Sequence, residues 1–146
     1  MNHRFLTPLL LITLCIFGSA YADDTDLLIE HAWIAEAPPV SKVMAAYMTI
    51  NNTGSEAVAI TKAESALYSN IEFHESVQNE GMARMIRHRE LYIPANSSIQ
   101  LKHGAKHFML FNPTKRLKAG DTVNIKLTTK NNRTKIISVP VKKAQY

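Results

Sequence analysis

Residues 74–111 read HESVQNEGMARMIRHRELYIPANSSIQLKHGAKHFMLF and end in the strand-like run KHFMLF. Alternate side chains of an extended strand lie on the same face, so His107 and Met109 share one face of this run. Phe108 and Leu110 share the opposite face. We expect Phe108 and Leu110 to be buried and the His/Met pair to face outward. The stretch therefore predicts a β-strand with two potential metal ligands on its polar face.

A second histidine lies on a similar strand at the start of the same stretch. In NIEFHES, Ile71 and Phe73 fall on one face and His74 on the other, which predicts that His74 projects from a polar face. On the residues alone, either Met82 or Met85 could add a second thioether. A set of imidazole and thioether donors favours Cu(I), because thioether is soft and uncharged and binds Zn(II), Mg(II) or Ca(II) poorly.

The rest of the chain contains short alternating runs rich in β-branched and aromatic residues, without a long helical pattern. The runs are LLIEHAWI, AAYMTINN, AVAITKAE, NIEFHES, ARMIRHRELYI, SIQLKH, HFMLF, TVNIKLTT and TKIISVPVK. Turn-forming residues such as Asn79-Glu80-Gly81 separate several of them, and residues 36–41, with two prolines, predict an irregular crossing. Many short strands at this spacing predict an all-β fold, an antiparallel sandwich or barrel.

These residues resemble the PCuAC family of periplasmic copper chaperones. The family motif is H, ten residues, M, twenty-one residues, H-x-M, and His74, Met85, His107 and Met109 match it without a gap. The segments AAYMTINN and IPA are also similar to flanking segments of the family. The resemblance covers essentially the whole mature chain, and only the family interval selects Met85 as the second thioether.

The resemblance implies a cupredoxin-like antiparallel β-sandwich with Greek-key connections. It also implies that His74, Met85, His107 and Met109 bind one Cu(I) ion. The implied role is that of a metallochaperone that carries copper toward the CuA centre of cytochrome c oxidase. The implied acceptor is the CuA subunit or a Sco-type thiol protein, and we expect the chaperone itself to be a monomer.

The chain departs from the family pattern in two places. Where the family commonly has Pro-Gly-Gly before the H-x-M strand, this chain has His103 followed by Gly and Ala, so His103 is a candidate additional donor. Some members carry a His/Met-rich tail with a second, Cu(II) site, whereas this chain ends VKKAQY, and we predict no second site. We expect Met44 to pack in the core or close to the site, and His31 and His88 are not favoured as ligands.

Residues 1–22 have the features of a secretory signal peptide. A basic residue precedes the apolar run LLLITLCIFG, which is followed by the A-x-A sequence AYA. We expect export to the periplasm and cleavage after Ala22, which leaves residues 23–146 as a single domain. A lipid anchor on Cys15 is the alternative, but Leu14 stands where such a site needs a small residue. Because Cys15 is the only cysteine, the mature chain would contain no thiol.

The formal charge is +5, and the basic residues are scattered among strands and turns. Without a basic stripe interleaved with aromatic residues, nucleic-acid binding is not favoured, and no second apolar run predicts a membrane span. Five basic residues of the candidate segment are expected to form a positive rim that favours an acidic partner surface. They are Arg84, Arg87, Arg89, Lys102 and Lys106.

The residues do not predict an enzyme. There is no GxSxG motif or carboxylate pair at a suggestive spacing, and four neutral ligands leave a metal no open position for a substrate. We therefore expect copper transfer, with binding weakened by acid because imidazole must lose its proton to bind. Copper storage or detoxification would use the same ligands, and a β-sandwich module that binds no metal is a third hypothesis. A blue-copper electron carrier needs a Cys thiolate, which the mature chain would lack.

Overall fold

The computed structural model describes residues 25–144, and in this part of the chain all regular secondary structure is β-strand. The all-β class predicted from the alternating runs is therefore confirmed. Within the same residues, no helix is long and apolar enough to cross a membrane. The strands are β1 (Leu27–Ala35), β2 (Val43–Asn52), β3 (Val58–Glu64), β4 (Tyr68–Asn79), β5 (Met82–His88), β6 (Leu91–Ile93), β7 (Ser97–Leu101), β8 (Lys106–Pro113), β9 (Thr122–Thr129) and β10 (Thr134–Lys142).

Hydrogen bonding connects the strands in the order β5-β4-β8-β2-β1-β10-β9-β3-β6. β7 and β8 pair with successive parts of β2, and β3 also pairs with β4 through Ala63 and Ile71. This last pairing joins the second strand of the path to the second-last, so that the strands from β4 to β3 form a closed, barrel-like sandwich. β5 lies outside the ring and, within residues 25–144, pairs only with β4.

One ladder differs from the predicted antiparallel pairing. β1 and β10 pair in parallel, with Ile34 opposite Val141 and Ala35 opposite Lys142. The other ladders of the described residues are antiparallel. Alternation along a strand shows which side chains share a face but not which strand lies beside it, so the sequence could not predict this pairing.

One face of β4 and β8 packs on the core. Phe108 and Leu110 are fully buried, as their alternation predicts, and the ring centroid of Phe108 lies 5.3 Å from that of Phe73. Burial of each such side chain contributes roughly 1.5–3 kcal/mol. The packing fixes the strand register, because a slip of one residue would turn the core face to solvent. The opposite face, which carries His74 and His107, is therefore held toward the outside of the barrel.

One run that the sequence predicts as a single strand is in fact two. ARMIRHRELYI divides into β5 and β6 at Arg89 and Glu90. β6 pairs with β3 and buries Leu91 and Ile93, whereas β5 pairs with β4 and leaves Met85 53% exposed. In an unbroken strand Met85 would share the face of Leu91 and Ile93. The break therefore releases the Met85 face from the core.

The signal peptide predicted for residues 1–22, its cleavage after Ala22 and the alternative anchor at Cys15 lie outside the described residues. The prediction of a single domain over residues 23–146 stays a prediction. Over residues 25–144 the ten strands belong to one connected sheet.

Candidate metal centre

The two candidate histidines lie side by side on neighbouring strands. His74 of β4 is directly opposite His107 of β8 in the antiparallel ladder, and their ring centroids are 6.1 Å apart. Phe111 packs against the other side of His74, with 6.3 Å between ring centroids. The cross-strand register therefore brings together two imidazoles that are far apart in the sequence.

The two ring nitrogens of His74 have different surroundings. Nε2 donates a hydrogen bond to a carboxylate oxygen of Glu72 over 2.8 Å, so its proton lies on Nε2 and the lone pair of the neutral ring lies on Nδ1. Nδ1 is buried, and among residues 25–144 no hydrogen-bond partner satisfies it. A buried lone pair without a partner is costly, and a metal ion bound there would remove that cost.

His107 has the opposite arrangement. Its Nδ1 donates to the backbone carbonyl of Ala105 over 2.9 Å, which leaves the lone pair of the neutral ring on Nε2. The residue is only 8% exposed, and Tyr47 packs against it with 6.4 Å between ring centroids. The predicted direction of the side chain is therefore correct, but its predicted outward exposure is wrong because Tyr47 helps to cover it.

The candidate methionines approach the histidines from two sides. Met109 follows His107 by two residues on the same face of β8, as predicted, and lies opposite Glu72 in the ladder with β4. Met85 of β5 is opposite Ser76, which is two residues from His74 on the same face of β4. All four predicted ligands therefore project from one face of three neighbouring strands.

A groove of about 900 Å³ opens on this face and is lined by Met85, His107 and Met109. The proline-containing crossing between β1 and β2 forms another wall, and it has no regular structure, as predicted. His74 does not line the groove but joins the set through its contact with His107. Within the described part of the chain, no group of three or more His, Cys, Asp or Glu side chains could hold a metal ion. A metal centre here depends on the thioethers.

Sequence reasoning missed a carboxylate that supports the site. Besides the bond from His74, the Glu72 carboxylate accepts a hydrogen bond from Asn70 over 2.9 Å and pairs with Arg87 over 3.2 Å. The hydrogen bond from His74, with the nearby charge of Arg87, lowers the pKa of Glu72 below its usual value. Glu72 therefore stays ionised and fixes the ring of His74, as carboxylates do for many metal-bound histidines. Its position two residues before His74 on the same strand face was a signal that could have identified it.

The remaining methionine candidates do not share the strand face of the four proposed ligands. Met44 is buried, as predicted, and it lines the same groove as Met85 and His107. Its sulfur accepts a hydrogen bond from the Tyr68 hydroxyl over 3.2 Å. Met82 is three residues from Met85 along β5, so the two side chains lie on opposite faces. Alternation had left Met82 and Met85 open as alternatives, and the ladder puts Met85 on the face that carries His74.

Of the remaining histidines of the described residues, two lie away from the groove and one lines it. His88 bonds to Glu75 over 2.7 Å on the opposite face of the β4–β5 ladder. His31 is exposed at an irregularity in the β1–β2 ladder. His103, in contrast, lines the same groove as His107, which agrees with the prediction of an additional donor close to the site.

A family model described as "Putative lipoprotein LpqE-like" matches residues 27–141. "Putative lipoprotein Lxx21020" of Leifsonia xyli subsp. xyli is 31% identical over 115 residues, which cover 78% of this chain and 68% of the relative. "Uncharacterized protein RP573" of Rickettsia prowazekii is 30% identical over 98 residues, which cover 66% of this chain and 54% of the relative. The chain thus spans about half to two thirds of the length of these relatives.

Two solved structures are similar to this chain over about four fifths of its length. CuI-DR1885 from Deinococcus radiodurans is 32% identical, with a TM-score of 0.66 over 80% of this chain and 77% of that chain. The copper-bound PCuAC domain from PmoF2 is 19% identical, with a TM-score of 0.69 over 82% of this chain and 94% of that chain. The second likeness shows the fold alone. The cupredoxin-like sandwich that the motif resemblance implied is confirmed.

Proposed function

The chain belongs to the LpqE-like family, which is of the PCuAC type, and from this premise we propose that it is a copper chaperone that binds one Cu(I) ion. The proposal is supported by the likeness to CuI-DR1885, which at 32% identity extends beyond the fold. It is supported equally by the donor set, since two imidazoles and two thioethers suit a soft monovalent ion.

The observation that carries the proposal is the buried, unsatisfied Nδ1 of His74 beside His107. His74, Met85, His107 and Met109 are the proposed ligands, with Nδ1 of His74 and Nε2 of His107 as the two nitrogen donors. In both rings the other nitrogen already donates a hydrogen bond, to Glu72 or to Ala105. The lone pairs are therefore oriented before copper arrives, which reduces the conformational cost of binding.

We propose transfer of copper rather than catalysis. The ligands differ in exposure, because His107 is nearly covered whereas Met85 is more than half exposed. Ligands of an acceptor reach Met85 first and displace it before they displace the others. The chaperone then holds copper through its inner ligands until the acceptor completes its own site.

The proposed acceptor is the CuA centre of cytochrome c oxidase, reached directly or with a Sco-type thiol protein, and the chaperone acts as a monomer. Storage of copper would use the same ligands but would not need a matched acceptor. A deletion strain separates the two roles. A delivery role predicts low oxidase activity at low copper that added copper restores, whereas a storage role predicts normal oxidase activity and sensitivity to excess copper.

We propose that the protein works in the periplasm after export. The "lipoprotein" in the names of the family model and of the Leifsonia relative gives weight to the alternative anchor at Cys15. Mass spectrometry of the protein from cell fractions distinguishes the two forms. Cleavage after Ala22 gives an unmodified soluble chain, whereas an anchor gives a lipid-modified chain that begins at Cys15 in the membrane fraction.

An anaerobic titration with Cu(I), in competition with a chromophoric Cu(I) chelator, tests the proposed function. We expect one Cu(I) per chain, and we expect His107→Ala to bind roughly tenfold more weakly or worse. Binding of less than one equivalent of Cu(I), or equal affinity of the wild type and His107→Ala, would contradict the proposal. Addition of an apo CuA domain then tests transfer, which predicts loss of Cu(I) to that domain.

A further inference from the structure

The outer edge of β5 presents backbone groups that no strand of residues 25–144 pairs with. The amide of Ser76 donates to the carbonyl of Ala105, so the hydrogen-bonding groups of Ser76 point toward β8 and away from β5. Opposed residues of an antiparallel ladder alternate between hydrogen-bonded and non-hydrogen-bonded pairs. Ser76 and Met85 form a non-hydrogen-bonded pair, so the N–H and C=O of Met85 point to the outer edge of β5. By the same alternation, Ala83 and Arg87 also point their backbone groups to the outer edge.

The side chains along this edge are unusually apolar for a solvated strand. Met82, Met85 and Ile86 are 67%, 53% and 45% exposed. Met85 lies on the copper-site face of β5, and Met82 and Ile86 lie on the other face. Exposed apolar side chains that flank an unpaired backbone edge are the features of a surface that accepts an added strand.

The positive charge of β5 favours an acidic strand as the partner at its outer edge. β5 contains Arg84 and Arg87 and is followed by Arg89, whereas Met82–His88 contains no carboxylate. Arg87 pairs with Glu72, but Arg84 and Arg89 are exposed and have no ion-pair partner within residues 25–144. A second copy of β5 would bring the same positive charges to the ladder, which disfavours self-association.

We propose that the outer edge of β5 docks an extended acidic segment of the copper acceptor as an additional antiparallel strand. Acidic side chains that alternate along such a strand lie on one face, where they meet Arg84, and the apolar side chains between them meet Met85 on the other face. The backbone of the docked strand pairs with Ala83, Met85 and Arg87. The docked strand lies directly beside Met85, the most exposed proposed ligand. Docking therefore brings the ligands of an acceptor to the side from which copper leaves.

This inference extends the proposed function by naming the chemistry of the partner, and it is tested without copper so that the two can fail independently. The probe is a capped eight-residue peptide of alternating Glu and Val, and its counterpart has Lys in place of Glu. Each is added to the metal-free protein at low salt, and amide shifts and hydrogen exchange are followed by NMR. We expect the Glu peptide to shift and protect the amides of Ala83, Met85 and Arg87, and the Lys peptide to bind at least roughly tenfold more weakly.

Two variants test the charge and the backbone separately. Arg84→Glu with Arg89→Glu is expected to weaken binding of the Glu peptide roughly tenfold. The matched control, Arg116→Glu with Lys130→Glu, changes the net charge equally at exposed positions away from β5. Ala83→Pro removes one outward N–H while the ladder with β4 remains intact, and it is expected to weaken binding roughly fivefold relative to Ala83→Val.

Several results would overturn the proposal. They are failure of the Glu peptide to bind, equal binding of the two peptides, amide shifts spread over the surface instead of along β5, and equal loss of binding in the two charge-reversal variants. A dimer formed through β5 by the metal-free protein would also overturn it, because a second copy would then be the occupant of the edge.

Discussion

The position of the proton on His74 decides whether this ring can bind a metal through its buried nitrogen. Glu72 accepts the Nε2 proton, and the neighbouring Arg87 and Asn70 hold the carboxylate in place. If Glu72 lost its charge, the proton could occupy either nitrogen of His74. The carboxylate is therefore a positioning residue and not a ligand.

Glu72→Gln is expected to weaken Cu(I) binding roughly tenfold, because the neutral amide holds the His74 proton less firmly on Nε2. In the metal-free protein, nitrogen NMR of the ring should show an unprotonated Nδ1 in the wild type and a mixture of tautomers in the variant. Glu75→Gln is the matched control, since Glu75 bonds Lys106 and His88, neither of which is a proposed ligand. Equal effects of the two variants on affinity would contradict a specific role for Glu72.

Met85→Ala is expected to weaken Cu(I) binding at least roughly tenfold, because it removes a soft donor from the groove. Met82→Ala removes the same side chain from the same strand but on the opposite face, and it should leave the affinity unchanged. Competition titrations of both variants under anaerobic conditions measure the difference. A larger effect of Met82→Ala would show that the wrong methionine has been assigned.

Alternation along a strand was sufficient to predict the faces of His74, His107 and Met109. It could not decide between Met82 and Met85, because that choice depends on the neighbouring strand. Nor could it predict the burial of His107, which results from packing against Tyr47, a residue distant in the sequence. The family interval, rather than the residues alone, selected the methionine that the ladder puts on the site face.

At the scale of elements, the hairpin of β4 and β5 holds Met85 beside the histidines. Its turn consists of Glu80 and Gly81, whose φ angles of 52° and 79° are both in the left-handed region. Two-residue turns of this kind match the twist of the flanking strands. The predicted turn at Asn79-Glu80-Gly81 therefore sets the register in which Met85 lies opposite Ser76.

Gly81→Ala is expected to lower the free energy of unfolding by about 1–2 kcal/mol, because an L-residue is strained at this φ. The effect should come from the backbone alone, since a Cβ at Gly81 would meet no atom within 4 Å. Glu80→Gly is the control and is expected to raise the free energy of unfolding, because glycine adopts the positive φ of residue 80 without strain. Urea unfolding measures both, and equal stability of Gly81→Ala and the wild type would contradict the assigned turn.

Most strands of the barrel could be predicted because each buries one face and exposes the other. The exception was the run from β5 to β6, in which the alternating pattern continues through the break at Arg89 and Glu90. Only the pairing of β6 with β3 on one side and of β5 with β4 on the other shows that the chain changes direction there. Local patterns do not contain that information.

At the scale of the whole molecule, the closed ring of strands encloses the buried core, and the strands of the metal site pack their opposite face on this core. Tyr68, at the start of β4, is buried in this core, and its hydroxyl donates to the sulfur of Met44. Burial raises the pKa of Tyr68 to about 12, because the phenolate would lose its hydration. The stability of the barrel should therefore depend on pH in the alkaline range.

The sign of this dependence follows from the raised pKa. Below pH 10, Tyr68 is protonated in both the folded and the unfolded state, and its contribution is fully present. Above pH 10 the unfolded chain loses the proton first, so the free energy of unfolding should fall by roughly 2–3 kcal/mol as the pH approaches and passes 12. Urea unfolding from pH 9 to 11.5 should show a smaller decline in Tyr68→Phe than in the wild type. The exposed Tyr92→Phe is the control, and equal slopes in all three proteins would contradict the assignment.

In the proposed metal centre, one face of three strands supplies two nitrogen and two sulfur ligands to a single Cu(I) ion. X-ray absorption of the protein loaded anaerobically with one equivalent of Cu(I) counts these neighbours directly. We predict two nitrogen and two sulfur scatterers in the wild type, with one sulfur lost in Met85→Ala and one nitrogen lost in His74→Ala. A spectrum without sulfur neighbours, or one unchanged by both substitutions, would contradict the central claim.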